Sequence, residues 1–348
     1  MRRWIKVSVV AAAVLGVGGW IAEPYVQDWA VARSACDGAL PQDAVRQLVP
    51  EDAHLGSAES RRSETLGSFT CRVTVDGKRG WLIDMEAYTR RDDQDRTYMT
   101  VFPQEGTAPQ APLPDGLPGF VDRFGSVQLV LACPDLGRDA DGRRRTLLVR
   151  TSLSRSADSG VPGAAYRTAV SFANTASGKL GCGAKPLRAP ARDAVPPDPQ
   201  DSEDAPEAVE LARAGKGACG WAARAGLPED GGWHVVNGMN DAAPTGYCTL
   251  SMGSPGSERD DTGSGQGGHR MLLLAWYGDW SNRLTAGSGN GERRSSTATA
   301  RCDGESANFA LVADDDIPGA GEAVRRRALE TFAKDQAVRR NCTGLRFF

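Results

Sequence analysis

Eight cysteines and three histidines are the side chains of this 348-residue chain best equipped to bind metal, carry electrons or attack a substrate. Their spacing decides among those chemistries. No Cys-x-x-Cys occurs, which speaks against both a zinc site and a thiol oxidoreductase. The cysteines instead fall into two ordered sets: Cys36, Cys71, Cys133 and Cys182, then Cys219, Cys248, Cys302 and Cys342. An even set of this kind in an oxidising compartment reads as disulfides. His54, His234 and His269 lie far apart, each in or beside a loop-forming stretch. Proton transfer needs a positioned partner, so no catalytic histidine, metal or cofactor is expected.

Other motifs give equally plain readings. No Gly-x-Ser-x-Gly elbow and no Gly-Lys-Ser/Thr phosphate loop is present. Asp139-x-Asp141-Gly142 has the start of a calcium loop without its remaining ligands, and reads as a turn. Asp314, Asp315 and Asp316 precede a helical stretch, which Asp316 is expected to cap. Trp276, Tyr277 and Trp280 form an aromatic cluster suited to stacking a sugar or a partner side chain. Strand alternation sends Trp276 and Tyr277 to opposite faces, so one of them belongs to the core. The last helix carries Arg325, Arg326, Arg339 and Arg340 on a basic face that suits an anionic polymer or headgroup, diluted by Glu322, Glu330 and Asp335.

These residues must be positioned by a scaffold, and the chain spells that scaffold twice. Phe172-Ala173 stands ten residues before Cys182, and Phe332-Ala333 ten before Cys342. Pro162-Gly163-Ala164 and Pro318-Gly319-Ala320 precede them. The four cysteines of the first set match those of the second at offsets of 183, 177, 169 and 160 residues. Ordered anchors with shrinking offsets point to a tandem duplication with small deletions, at a period far above that of a solenoid.

In the first copy a short helix is expected within Leu40–Pro50 and a long one over Gly163–Ser177. Strands are expected at Phe69–Val75, Gly80–Tyr88, Tyr98–Phe102, Ser126–Cys133, Thr146–Leu153 and, finally, Cys182–Leu187. The second copy offers helices at Ala218–Ala225 and Ala320–Val338. Its strands are expected at Gly246–Met252, Met271–Trp276, Ser296–Cys302, Asn308–Val312 and Thr343–Phe347. Strands enclosed by helices imply an α+β fold, with an antiparallel sheet packed against helices in each copy. Bonds joining the first cysteine to the second and the third to the fourth would tie each helix to its sheet. That gives Cys36–Cys71, Cys133–Cys182, Cys219–Cys248 and Cys302–Cys342; the competing pattern joins first to fourth and second to third.

The chain ends are as informative. Arg2, Arg3 and Lys6 precede an uncharged apolar run, Val7–Ala22, with no good cleavage site after it. The expected organisation is a cytoplasmic tail (1–6), a transmembrane signal anchor (7–22), a stalk (23–35), a first repeat domain (36–188), a linker rich in Pro and Asp (189–208) and a second repeat domain (209–348). Cleavage and secretion is the alternative. The linker lacks the apolar residues needed to offset its ordering entropy, and the Gly253–His269 loop reads as an insertion between strands. Removing Arg2, Arg3 and Lys6 leaves 38 basic residues against 44 acidic ones, a net charge near −6 outside the membrane. Nucleic-acid binders carry the opposite sign.

A cysteine in the first helix followed by one on a strand, as in Phe69-Thr-Cys-Arg-Val73 and Gly246-Tyr-Cys-Thr-Leu250, resembles the small lipoprotein-like domains of exported actinobacterial cell-envelope proteins, here without their acylated cysteine. The resemblance rests on Cys36, Cys71, Cys219 and Cys248, covers about half of each repeat, and implies an envelope location. The expected function is non-catalytic: a membrane-anchored, extracytoplasmic binding or scaffolding protein whose partners are the membrane and an envelope protein or anionic polymer. The alternative is an envelope hydrolase or transferase with dispersed Asp and Glu residues. A cleft lined by converging acids and aromatics would favour the enzyme.

Overall fold

The computed structural model describes residues 26–77, 80–103, 110–155, 157, 163–191, 194, 207–215, 217–228, 231–241, 243–253, 269–287 and 292–348. The apolar run Val7–Ala22, most of the 189–208 linker and most of the Gly253–His269 loop lie outside them. Among the described residues no helix is long and apolar enough to cross a membrane.

The fold is α+β, with two seven-stranded sheets. The chain opens on a helix over residues 26–38 (α1), which ends with Cys36, Asp37 and Gly38 at positive φ, followed by α2 (Gln42–Gln47). Strands β1 (Leu55–Ser63), β2 (Ser68–Val75) and β3 (Trp81–Tyr88) follow, then α3 (Arg91–Val101). After them come β4 (Ala111–Pro112), β5 (Gly119–Val121), β6 (Val127–Ala132), β7 (Thr146–Leu153) and α4 (Ala164–Lys179). The second half holds β8 (Val209–Glu210), β9 (Trp233–Asn237), β10 (Thr245–Met252), β11 (Arg270–Tyr277), β12 (Thr297–Cys302), β13 (Glu305–Ala313), α5 (Glu322–Arg339) and β14 (Thr343–Phe347). Strand order is β1-β2-β3-β7-β6-β5-β4 in one sheet and β14-β12-β13-β11-β10-β9-β8 in the other. The inner orders β1-β2-β3-β7-β6 and β9-β10-β11-β13-β12 are the same when read by position in each half.

By packing, the chain forms two compact units. One contains the chain up to Tyr88, Val149–Gly181 and a short tail from Lys185. The other contains Thr89–Leu148, Cys182–Ala184 and the whole second half. In the first unit, β2 alternates cleanly, burying Phe69, Cys71, Val73 and Val75, as a half-covered strand should. Phe172 of α4 stacks on Phe69 at 5.0 Å between ring centres.

In the second unit β11 is covered on both faces, which explains its unbroken apolar run, Met-Leu-Leu-Leu-Ala-Trp-Tyr. Met271, Leu273, Ala275 and Tyr277 pack with the α5 residues Ala328, Leu329 and Phe332. Leu272, Leu274 and Trp276 face a second cluster containing Tyr98, Phe102 and Trp280. Phe332 meets Trp221 at 5.3 Å and Phe309 at 6.1 Å.

The four disulfides are Cys36–Cys71, Cys133–Cys182, Cys219–Cys248 and Cys302–Cys342, and no cysteine is free. Each half therefore closes its own two bridges, in the first-to-second, third-to-fourth pattern. This set fits an oxidising, extracytoplasmic compartment.

Four local expectations are corrected. Tyr98–Phe102 is not a strand: Tyr98-Met-Thr-Val101 is the last turn of α3, and Phe102 is its C-cap. Its β-favouring residues yield to the helical spacing of Gln94, Tyr98 and Val101, which are the buried positions. Cys182–Leu187 forms no strand. The Leu187 N–H donates instead to Asn174 Oδ1 of α4 at 2.8 Å, and Asn174 Nδ2 donates back to the Leu187 carbonyl at 2.9 Å. A side chain thus does there what a sheet ladder does at β14, which pairs with β12. The Ala218–Ala225 stretch is a short 3-10 helix, Gly220–Arg224, rather than an α-helix. Finally, Asp316 caps nothing. The N-cap of α5 is Gly321, while Asp314 Oδ2 accepts the Arg270 N–H at 2.8 Å.

Candidate functional site

A half-open cavity of about 490 Å³ lies within the second unit. Its walls come from α3, the C-terminal end of β11 and the 3-10 helix Asp279–Leu284 that follows it, the start of β13, and the last turn of α5. The volume falls in the range of small-molecule sites.

Helix α3 supplies Arg91, Gln94, Asp95 and Tyr98. Positions 91, 95 and 98 fall on one face because they are spaced four and three residues apart. Asp92 and Asp93 stand in the first turn, where the helix dipole favours negative charge. Gln94 fixes the helix to the start of β7: its amide Nε2 donates to the Thr146 carbonyl at 2.8 Å, and the Thr146 hydroxyl donates to its Oε1 at 3.1 Å. Tyr98 packs against Trp280 at 5.0 Å and Phe102 against Trp280 at 5.2 Å.

A buried polar network holds the opposite wall. Asn308 Nδ2 donates to Ser281 Oγ at 2.7 Å, and Ser281 Oγ donates to the Gly278 carbonyl at 2.7 Å. Arg293 Nη1 donates to Asn308 Oδ1 at 2.9 Å and to Thr285 Oγ1 at 2.8 Å. Asn308 is completely buried, so these bonds satisfy groups whose exposure to an apolar core would cost 1–3 kcal/mol each, roughly. They fix the short helix that carries Trp280, whose indole N–H donates to the Tyr277 carbonyl at 3.0 Å.

Most charges around the cavity are neutralised. Arg91 bridges Glu305 at 2.5 Å and Asp139 at 3.4 Å. Arg144 meets Asp303 at 3.3 Å, and Arg339 meets Asp335 at 2.7 Å. Just outside, Arg143 meets Asp279 at 2.8 Å. Two lining groups differ. Asp95 has no hydrogen bond or ion pair among the described residues; burial pushes its carboxyl up to about 6, Arg91 opposes this, and Glu305, Asp279 and Asp92 add to the rise. Arg340 has no carboxylate partner among the described residues. Its guanidinium lies 4.0 Å from the Tyr277 ring centre, and its Nη2 donates to the carbonyls of Asn240 and Ala243. Burial also raises Glu305, against the pull of Arg91, and pushes Tyr277 up to about 12. Among the described residues no group of three His, Cys, Asp or Glu is placed to hold a metal.

Of the residues singled out in the sequence, Tyr277, Trp280, Arg339 and Arg340 line this cavity. Trp276 is core, 1% exposed. Arg325 lies elsewhere, donating to the carbonyls of Asp314, Asp315 and Ala320, and Arg326 makes an exposed pair with Glu330 at 3.4 Å. Asp139 accepts the backbone N–H groups of Asp141 and Arg143 in the turn that follows Cys133.

No known family, curated protein or solved structure matches this chain.

Sequence reasoning missed Arg91, Asp95 and Glu305. The signal was present for two of them: Arg91, Asp95 and Tyr98 keep helical spacing, hidden by reading Tyr98–Phe102 as a strand. Glu305 comes to the cavity only through the β12–β13 turn, and nothing local marks it.

Proposed function

We propose that this chain is a membrane-anchored, extracytoplasmic binding protein of the cell envelope, and that it binds a small ligand in the cavity of its second unit. The carrying observation is the cavity itself, with aromatic groups in its wall and two lining charges, Asp95 and Arg340, that form no ion pair among the described residues. The rest of the ring is committed to internal ion pairs, as expected of a preorganised recognition site rather than a reactive one. Export is supported by the four disulfides. Anchoring is supported by the basic residues before the uncharged run Val7–Ala22 and by the lack of a good cleavage site after it. The common strand order of the two halves, with Phe172 and Phe332 in corresponding helices, supports descent from a duplicated unit. Because Arg325 and Arg326 are occupied within α5 and its approach, the cavity is a better binding surface than the basic helix face for an envelope component.

The test is a thermal-shift screen of small polar compounds on the protein and on Ala132→Trp. Ala132 lines the cavity at an exposed position, so the substitution fills it without disturbing the core. Stabilising compounds that lose their effect in the variant are the expected result. An absence of hits, or hits unaffected by the variant, would remove the reading.

One observation favours a second reading. Asp95, at about 6, shares the cavity with Glu305, and a carboxyl held near neutrality beside a second one suits general acid–base hydrolysis. Hydrolysis of envelope polymers by the wild type, abolished in Asp95→Asn and in Glu305→Gln, would establish it.

A further inference from the structure

Asp95 and Arg340 bring opposite charges, neither in an ion pair among the described residues, to one cavity from elements distant in sequence, α3 and the end of α5. Asp95 feels Arg91 one helical turn away, but that guanidinium is engaged by Glu305 and Asp139. The other charged side chains in the wall form ion pairs: Arg91 with Glu305, Arg144 with Asp303, and Arg339 with Asp335. Binding a neutral molecule here would strip water from both charges and return only hydrogen bonds to neutral groups, which compensate ions in a low-dielectric site less well than opposite charge does. A simple cation would meet Arg340 and a simple anion would meet Asp95, so each is disfavoured by one of the two. A ligand with both charges satisfies the pair at once, and the mismatched charge supplies the discrimination. The wall also holds short apolar residues, Val130, Ala132, Ala243 and Pro244, beside the polar Gln94, Thr146, Ser306 and Asn341.

Resting on the reading of this cavity as a small-ligand site, we infer that its ligand is a compact zwitterion, an amino acid or short peptide with both ends unblocked, whose ammonium group pairs with Asp95 and whose carboxylate pairs with Arg340. The Tyr277 ring beneath the guanidinium keeps that cation in place while leaving it able to accept an anion, since stacked arginines retain their in-plane donors. The small apolar wall leaves room for side chains the size of alanine's.

The experiment is isothermal titration calorimetry of the detergent-solubilised full chain with four probes: L-alanyl-L-alanine, its N-acetyl form, its C-terminal amide, and a neutral disaccharide. The unblocked dipeptide is expected to bind, and blocking either end to weaken binding at least tenfold. Asp95→Asn is expected to abolish discrimination against the N-acetyl form alone, and Arg340→Gln that against the amide alone. Because the blocked probes need no variant, the inference stays testable if a variant misfolds. No heat with the dipeptide at millimolar concentration, or equal binding of all three peptides, would overturn it. Disaccharide binding that Ala132→Trp removes, without dipeptide binding, would overturn the zwitterion while leaving a small-ligand site intact.

Discussion

The connections leaving β3 and β11 start from the same place in the common strand order and then diverge. After β3 the chain builds the eleven-residue helix α3 and the small strands β4 and β5 before returning in β6. After β11 it makes one six-residue 3-10 helix and returns in β12. Tyr98 from the first connection and Trp280 from the second meet at 5.0 Å in the wall of the cavity. The candidate site therefore joins parts that are not alike to the ends of the shared strands and of α5, which supply Tyr277, Glu305 and Arg340. The helices differ in degree as well. Helix α4 buries ten residues, from Ala164 to Ser177, whereas α5 buries six along one stripe, and Val338 on α5 is 82% exposed. Two halves with the same strand order can thus differ in how each is fitted to its own surroundings.

The largest test of this contrast is reduction. Loops of 29 and 40 residues in the second half, and of 35 and 49 in the first, imply about 4 kcal/mol per bridge from loop-closure entropy. Two bridges per half match the whole stability of an ordinary domain. Unfolding of both halves at moderate temperature in dithiothreitol, followed by circular dichroism, is expected; a cooperative folded transition surviving in one half would show that its framework stands without bridges.

Next come Phe172→Ala and Phe332→Ala. Both rings are fully buried, and each substitution is expected to cost about 3–5 kcal/mol in urea unfolding. Costs differing by more than about 2 kcal/mol would mean that the two helices do not carry comparable roles, given the usual spread between sites.

Asp95 gives a smaller effect with a definite sign. Its folded value, about 6, lies above the ordinary 3.8, so the folded state binds more protons between those values. The stability attached to its protonated form is complete below pH 4 and lost as pH rises through 6. Asp95→Asn is expected to stabilise the protein at pH 7 by about 1 kcal/mol or less, because the group is partly solvated, and to flatten that part of the pH profile. No change in the difference between pH 4 and pH 7 would show that Asp95 is an ordinary surface acid. The smallest effect is expected at Arg326, whose exposed pair with Glu330 is worth about 0.5 kcal/mol or less. Arg326→Ala should leave dipeptide binding untouched, and a loss of binding would move the site towards the helix face.

The framework was legible in the sequence because its signals are local and repeated. Cysteine order narrowed the bonds to two patterns, of which the first-to-second, third-to-fourth one forms; alternation marked β2, and the Phe-Ala-to-Cys phrase located both long helices. The site was less legible because tertiary packing selects it. Tyr98-Met-Thr-Val-Phe102 has the composition of a strand, and only burial of Gln94, Tyr98 and Val101 on one side makes it helical. The Cys182–Leu187 tail copies the phrase before β14 but is diverted by Asn174, a residue with no marker in that segment. Glu305 and Arg91 are 214 positions apart, and no pattern in either stretch announces their pairing.

The double-sided burial of β11 has a consequence for how the protein is made. Met271–Trp276 contains no charge, no proline and no glycine, which is the profile of a segment that stacks with copies of itself when uncovered. Only the finished fold hides it, between β10 and β13 along its edges and between two hydrophobic clusters on its faces. A chain that arrives outside the cytoplasm unfolded must therefore pair this strand and close Cys219–Cys248 on its neighbour before meeting another chain. Unfolding in the absence of denaturant exposes this strand to other copies, so the rate at which β11 opens joins equilibrium stability in setting the molecule's working lifetime.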